Sequence, residues 1–131
     1  MLDIATMRRI VRASAIYDLV VIAPFLTPWT FAFAHGQLQA QNAMLGGAPL
    51  PPFAPLHILF VCALASLVTI WSVLRIADPQ IRFGRYDGTG RVLFAVWMAW
   101  ALATSETPIL WLFIVPEALW AIAQWLPLRR G

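Results

Sequence analysis

Lysine is missing from this chain altogether, cysteine occurs once, and charged residues of every kind make up only 11% of it. Each shortage excludes something. A single thiol, Cys62, cannot form an internal disulfide or a CxxC redox pair. It lies inside an apolar run and reads as a small hydrophobe. All nine cations are arginines. They stand at the ends of apolar segments rather than along a basic helix or among stacking aromatics. That placement argues against nucleic acid as a partner, despite a net charge of +3 and a pI near 10.0. With so few charges, the chain also lacks the solvated faces of a soluble domain, which carries about 25% charged residues.

What is present is apolar. Hydrophobic residues are 61% of the sequence and the mean hydropathy is +0.76. A chain of 131 residues cannot bury that much apolar surface in one core, so the surplus must face lipid. A soluble enzyme, a disordered tail and a disulfide-stapled secreted domain are all excluded.

Four apolar segments follow one another, at about 13–34, 56–76, 89–104 and 109–128. Crossing roughly 30 Å of hydrocarbon takes about 20 helical residues. Leu56 to Ile76 meets this most cleanly. Ala13 to Ala34 is interrupted by Asp18, Pro24 and Pro28. The third segment crosses only if Thr89 to Arg91 form its first turn. It is separated from the fourth by Ser105-Glu106-Thr107-Pro108 alone, which predicts a tight antiparallel hairpin. Inside a bilayer the backbone must satisfy its own hydrogen bonds, and no alternating strands are present, so the spans are helices. The expected fold is an all-α integral membrane protein: four transmembrane helices in a small antiparallel bundle, forming one domain over 1–131.

The outer loop, 35–55, opens on a polar stretch that suits a short interfacial helix. It continues through Pro49, Pro51, Pro52 and Pro55, where each proline holds its predecessor out of the α region. The other long connection, 77–88, is expected to be a cytoplasmic loop. Arginine placement sets the orientation. Arg8, Arg9 and Arg12 precede the first segment, Arg75, Arg82, Arg85 and Arg91 surround the second loop, and Arg129 and Arg130 follow the fourth. Four spans put all of them on one side, so both termini are expected in the cytoplasm of a cell with a bacterial-type inner membrane. The N-terminal arginines and Ala32-Phe33-Ala34 imitate a cleaved signal peptide. The apolar stretch is nevertheless longer than the 7–15 residues typical of such a segment, and Asp18 interrupts it.

The candidate sites are few. Asp18 lies in the first span near its cytoplasmic end, where a carboxylate needs a partner or a cavity. Arg75, returned to a similar depth by the antiparallel second helix, is its candidate structural ion-pair partner. Glu117 falls roughly 12 Å into the fourth span, just after Pro116, which frees a carbonyl. No arginine is expected at that depth, so its carboxyl should be neutral or open to water. Phe113, Trp120 and Gln124 share its helix face and make a candidate ligand or proton site with it. Cys62, Ser66, Thr69 and Val73 form a small, weakly polar stripe on the second helix, expected to pack against another helix. His35 and His57 flank the outer loop, but two ligands do not make a metal site. The loop glycines Gly84, Gly88 and Gly90 match no phosphate-binding motif. Trp29, Trp71, Trp111 and Trp125 fall near span ends as interfacial anchors. Trp97, Trp100 and Trp120 lie deeper, where an indole N–H needs a partner.

Two functional classes fit. The first is a non-enzymatic accessory or oligomerising subunit, presenting Trp-rich faces to lipid, to copies of itself or to a larger membrane complex. The second is a small transporter or lipophilic-ligand binder in which Glu117, with Asp18, is the proton or ligand site. An intramembrane enzyme is the least favoured class, because no nucleophile–base pair or metal set is visible. No cofactor can be read from the residues.

Overall fold

The computed structural model describes residues 1–129. Among these there are five α-helices and no strand. Helix α1, Ile4–Ile22, starts at Asp3, whose carboxylate accepts the Thr6 amide at 2.6 Å. It ends where Pro24 supplies no N–H, in a short 3₁₀ turn over Ala23–Phe25. Thr27, held extended by Pro28 after it, caps α2, Pro28–Met44, through a Thr30 N–H to Oγ1 bond of 3.2 Å. The two helices meet at 98°. The expected first span over 13–34 is therefore not one rod: two prolines and a threonine cap turn the chain through a right angle. The polar stretch after His35, expected to suit a short interfacial helix, is helical to Met44 and continuous with Pro28–Ala34.

Gly46, at φ 78°, ends that helix, and a proline-rich strap leads to α3, Pro55–Ala77. His57 Nδ1 accepts the Ala54 N–H at 3.2 Å, closing the first turn of α3. Only Asp78–Gln80 separate α3 from α4, Ile81–Ser105. The expected cytoplasmic loop over 77–88 is thus mostly helix. Its glycines are contact points rather than turns. A Cβ on Gly84 would stand 2.5 Å from Val11 Cγ2, and one on Gly88 would stand 2.9 Å from Trp125 Cδ1, so close approach to α1 and α5 needs glycine there. Glu106, at φ 46°, ends α4. A 3₁₀ turn over Pro108–Leu110 then leads into α5, Trp111–Trp125.

Helix α1 packs along α3, and α4 along α5, while α3 and α4 diverge from their short connection. Met7, Val11 and Ala15, a stripe at four-residue spacing on α1, have no exposed surface. The two ends of the bundle differ. At one end the Leu2 N–H donates to Pro127 O and the Arg129 N–H to Leu2 O across the termini, and Arg12 Nε donates to Ile76 O at 3.1 Å. At the other, Ala48 N donates to Glu106 O at 3.0 Å, tying the strap to the α4–α5 turn. Asn42, also fully buried, accepts the Ile109 N–H and donates to Ala48 O. Two helices, Pro55–Ala77 and Pro108–Trp125, are long and apolar enough to cross a membrane, and the bent pair α1–α2 adds a third if taken as one span.

Candidate functional site

Two of the charged residues of α4 turn inward. Asp87 and Arg91, one turn apart, point into the space between the two helix pairs and meet the others there. Arg75 from α3 places Nη2 at 2.5 Å from Asp18 and Nη1 at 2.8 Å from Asp87. Arg91 divides its guanidinium among all three acids: Nε to Asp87 at 2.8 Å, Nη2 to Asp18 at 2.7 Å, and Nη1 to both oxygens of Glu117 at 3.1 Å. Ser14 donates to Val11 O and accepts from Arg75 Nη1 at 3.0 Å and Gln124 Nε2 at 2.7 Å. Five charges from four helices thus share one polar knot. Arg75 and Gln124 have no exposed surface, and Arg91 has 3%.

The three carboxylates are not equally held. Asp87 accepts from Trp71 Nε1, Arg75, Arg91 and Gln124. Asp18 accepts from both arginines. Glu117 accepts from a single nitrogen, Arg91 Nη1. Its remaining acceptor capacity faces a cavity of about 710 Å³ between α3 and α4. Asp18, Asp87, Arg91 and Glu117 form the polar floor of that cavity, Leu67 and Trp71 line the α3 wall, and Phe94, Trp97 and Met98 line the α4 wall. Leu67 and Trp97 are 65% and 64% exposed, which places the mouth sideways, between the diverging helices.

Several sequence expectations change here. Glu117 does have an arginine at its depth. Because α4 begins at Ile81, Arg91 stands ten residues in, roughly 15 Å along the helix, instead of at its mouth. Of the residues expected to share the Glu117 face, Phe113 lines the cavity with it. Gln124 turns into the knot, and Trp120 packs on Tyr17 with ring centroids 5.9 Å apart. The stripe expected to pack on α3 is displaced. Ser66 is exposed and donates back to Cys62 O, and Thr69 donates back to Ala65 O, so both hydroxyls are satisfied within their own helix. Buried Ala65, Ser72 and Arg75 make the contact instead. Trp97 and Trp100 point outward rather than into the bundle, and Trp71 leaves its anchor role to bind Asp87. His35 and His57 join Phe31 and Phe53 in an aromatic cluster, with His35 Nε2 3.0 Å from Pro51 O. Asp87, Ser14 and Arg91 are site residues that the sequence reading missed. The signal available for two of them was the i, i+4 spacing of Asp87 and Arg91.

No family model, no curated protein and no solved structure matches this chain.

Proposed function

We propose that this is a membrane-embedded binding or transport protein that takes a small amphiphile from the bilayer into the cleft between α3 and α4. The observation that carries the reading is the cleft itself: apolar walls, a sideways mouth and a charged floor. Such pockets, apolar with a few convergent polar groups, are the usual form of small-molecule sites. The ligand head sits at Glu117 and Asp18, and the tail runs up the wall past Phe94 and Met98.

The membrane placement is part of the proposal. Helices α1, α3, α4 and α5 cross, and α2 lies along the opposite surface after its 98° bend. The distribution of side chains supports this, because it is inverted relative to a soluble domain. Phe60, Leu67, Ile70, Val96 and Trp100 are all more than half exposed, whereas Asn42, Ser72, Arg75 and Gln124 are fully buried. Helix α4 is not itself apolar enough to count as a span, but its inner charges are neutralised against α1, α3 and α5. Among the described residues, Arg8, Arg9, Arg12, Arg85 and Arg129 gather at the end that holds both termini, which on this proposal faces the cytoplasm of an inner membrane by the positive-inside rule. The oligomerising-subunit reading rests on the outward Trp97 and Trp100, which lipid contact accounts for equally well.

The test is binding of a fluorescent amphiphile to purified protein in detergent, read by energy transfer from the tryptophans. Ala101→Trp, which fills the upper cleft, should abolish transfer while the thermal midpoint is kept. Unchanged transfer in that variant removes the cleft reading. A stoichiometric co-purifying protein, with no amphiphile bound, favours the subunit.

A further inference from the structure

The knot does not balance. Asp18, Asp87 and Glu117 bring three negative charges, and Arg75 and Arg91 bring two positive ones. One negative charge is left over in a space with little water, where an uncompensated ion is costly. Something must carry a single positive charge there at all times. A proton can do so, and so can a ligand.

The geometry shows where that charge resides. Asp87 accepts from four donors and Asp18 from two guanidiniums, so among the carboxylates the most spare acceptor capacity is on Glu117; Gln124 Oε1 also lacks a donor but does not line the cleft. An anion finds no such opening. Arg91, the cation that lines the cleft, has Nε, Nη1 and Nη2 each committed to a carboxylate. Arg75 has an unpartnered Nε but no exposed surface and does not line the cleft. Around the opening stand Tyr86, Phe94, Trp97 and Phe113, and aromatic rings attract cations.

We infer that the cleft takes a lipophilic monovalent cation in exchange for one proton, with Glu117 carrying the proton while the cleft is empty. This rests on the reading of the cleft as an amphiphile site. The step is a simple exchange. The Glu117 O–H bond breaks, its proton passes to water, and the carboxylate takes the charge of the incoming cation; no electrons move. A zwitterionic lipid head does not fit, because its phosphate brings back the negative charge and finds no free guanidinium. The charged and titratable groups facing Glu117 are Tyr17 and Asp18 from α1 and Asp87 and Arg91 from α4, with Arg75 of α3 behind Asp18. The arginines stay charged at any working pH. Removing the Glu117 proton therefore leaves the surplus for the ligand.

The experiment uses two ions of nearly equal size and opposite charge, tetraphenylphosphonium and tetraphenylborate, on the full chain in detergent. Calorimetry and a pH indicator in weak buffer read affinity and proton release. The cation should bind with close to one proton released, and its affinity should rise up to tenfold per pH unit until Glu117 is fully ionised. The borate should not bind. Glu117→Gln, first shown to elute and melt like wild type, should bind the cation at least tenfold more weakly and release no proton. Should that variant fold poorly, proton release by wild type at two pH values decides the matter alone. Equal binding of both ions, blocked by Ala101→Trp, overturns the cation exchange and leaves the cleft reading standing. Binding of neither ion removes the cleft reading with it. Cation binding without proton release, or full release from Glu117→Gln, overturns the role given to Glu117.

Discussion

The polar knot at mid-bundle and the Asn42 latch at the opposite end solve the same problem with different means. Each joins segments distant in sequence, and each is buried. At the latch one neutral amide does the work. Asn42 accepts the Ile109 N–H at 3.2 Å and donates to Ala48 O at 2.8 Å, so both ends of the side chain are satisfied. The knot uses five charged groups, three acidic and two basic, and leaves one carboxyl, Glu117, lightly held. A contact that only holds helices together has no need of surplus charge. In a bilayer, where apolar surface gives helices no reason to prefer one another to lipid, polar contacts of both kinds set the packing. The knot borders a cavity of about 710 Å³.

The largest effect should come from removing the cation at the centre of the knot. Arg75→Met leaves Asp18 and Asp87 short of a partner in a dry space, and breaking a buried pair this way costs about 3–5 kcal/mol. Loss of monodisperse protein, or a large fall in thermal midpoint, is the expected readout. Adding Asp18→Asn should restore part of the loss, because the charge count returns to its original value. If the double variant is worse than Arg75→Met by the full cost of each change, the two residues are not coupled as their 2.5 Å approach requires.

The second prediction sharpens the contrast within the knot. Asp87→Asn replaces an acceptor of four donors with an amide whose own N–H groups face guanidiniums, and should cost about 3 kcal/mol or more. Glu117→Gln loses one charge-assisted contact but removes the surplus charge, and should stay within about 1 kcal/mol of wild type. Midpoints in the reverse order would place the structural carboxylate at Glu117 and leave the cleft without a free one. The third prediction concerns the latch. Asn42→Ala strands a buried N–H and a carbonyl, at a cost of about 1–3 kcal/mol, and should loosen the strap and the α4–α5 turn. Ligand binding in the cleft should persist. Amide exchange at Ile109 should rise while exchange near Ser14 holds; an equal rise at both would mean the two regions are one cooperative unit.

How much of this the sequence made legible depended on the residue. Composition and the long apolar run of α3 lead directly to an all-helical chain with membrane-length helices. Counting along antiparallel helices brings Asp18 and Arg75 to one depth. The place of α4 was hidden by its own first turns. Arg82, Arg85, Asp87, Gly84 and Gly88 read as a loop, because hydropathy penalises the charges and helix propensity the glycines. Close packing on Val11 and Trp125 overrides the glycine penalty, and partners on three other helices remove the cost of the charges. Starting the third span at Thr89 rather than α4 at Ile81 kept Arg91 at the mouth of the span, and Glu117 was then left without its arginine. The right-angle bend was legible in Pro24, Thr27 and Pro28. The hydrophobicity of Trp29 to Ala34 concealed it, because a bent pair of helices and one continuous span look alike by composition.

The smallest predicted effect lies outside the bundle and sets an exposed carboxylate against the buried ones. Asp3 caps α1 by accepting the Thr6 N–H, and that bond, with Arg9 nearby, holds its carboxyl below the usual aspartate range. Lowered in the folded state, it contributes stability that is fully present above the unfolded value of about 3.9 and lost as pH falls through the lower folded value. The window is thus pH 4 and below, clear of the range in which the cleft is assayed. The Thr6 amide resonance, followed by NMR in micelles, should shift with a midpoint below 3.9. Asp3→Asn keeps an oxygen for the cap, since asparagine caps about as well as aspartate, and should flatten that titration without loosening the first turn. A wild-type midpoint at or above 3.9 would mean the cap bond is not formed in solution. A titration that survives Asp3→Asn would mean the Thr6 amide senses some other acid. Either way the cleft is untouched, because water rather than an arginine solvates this charge.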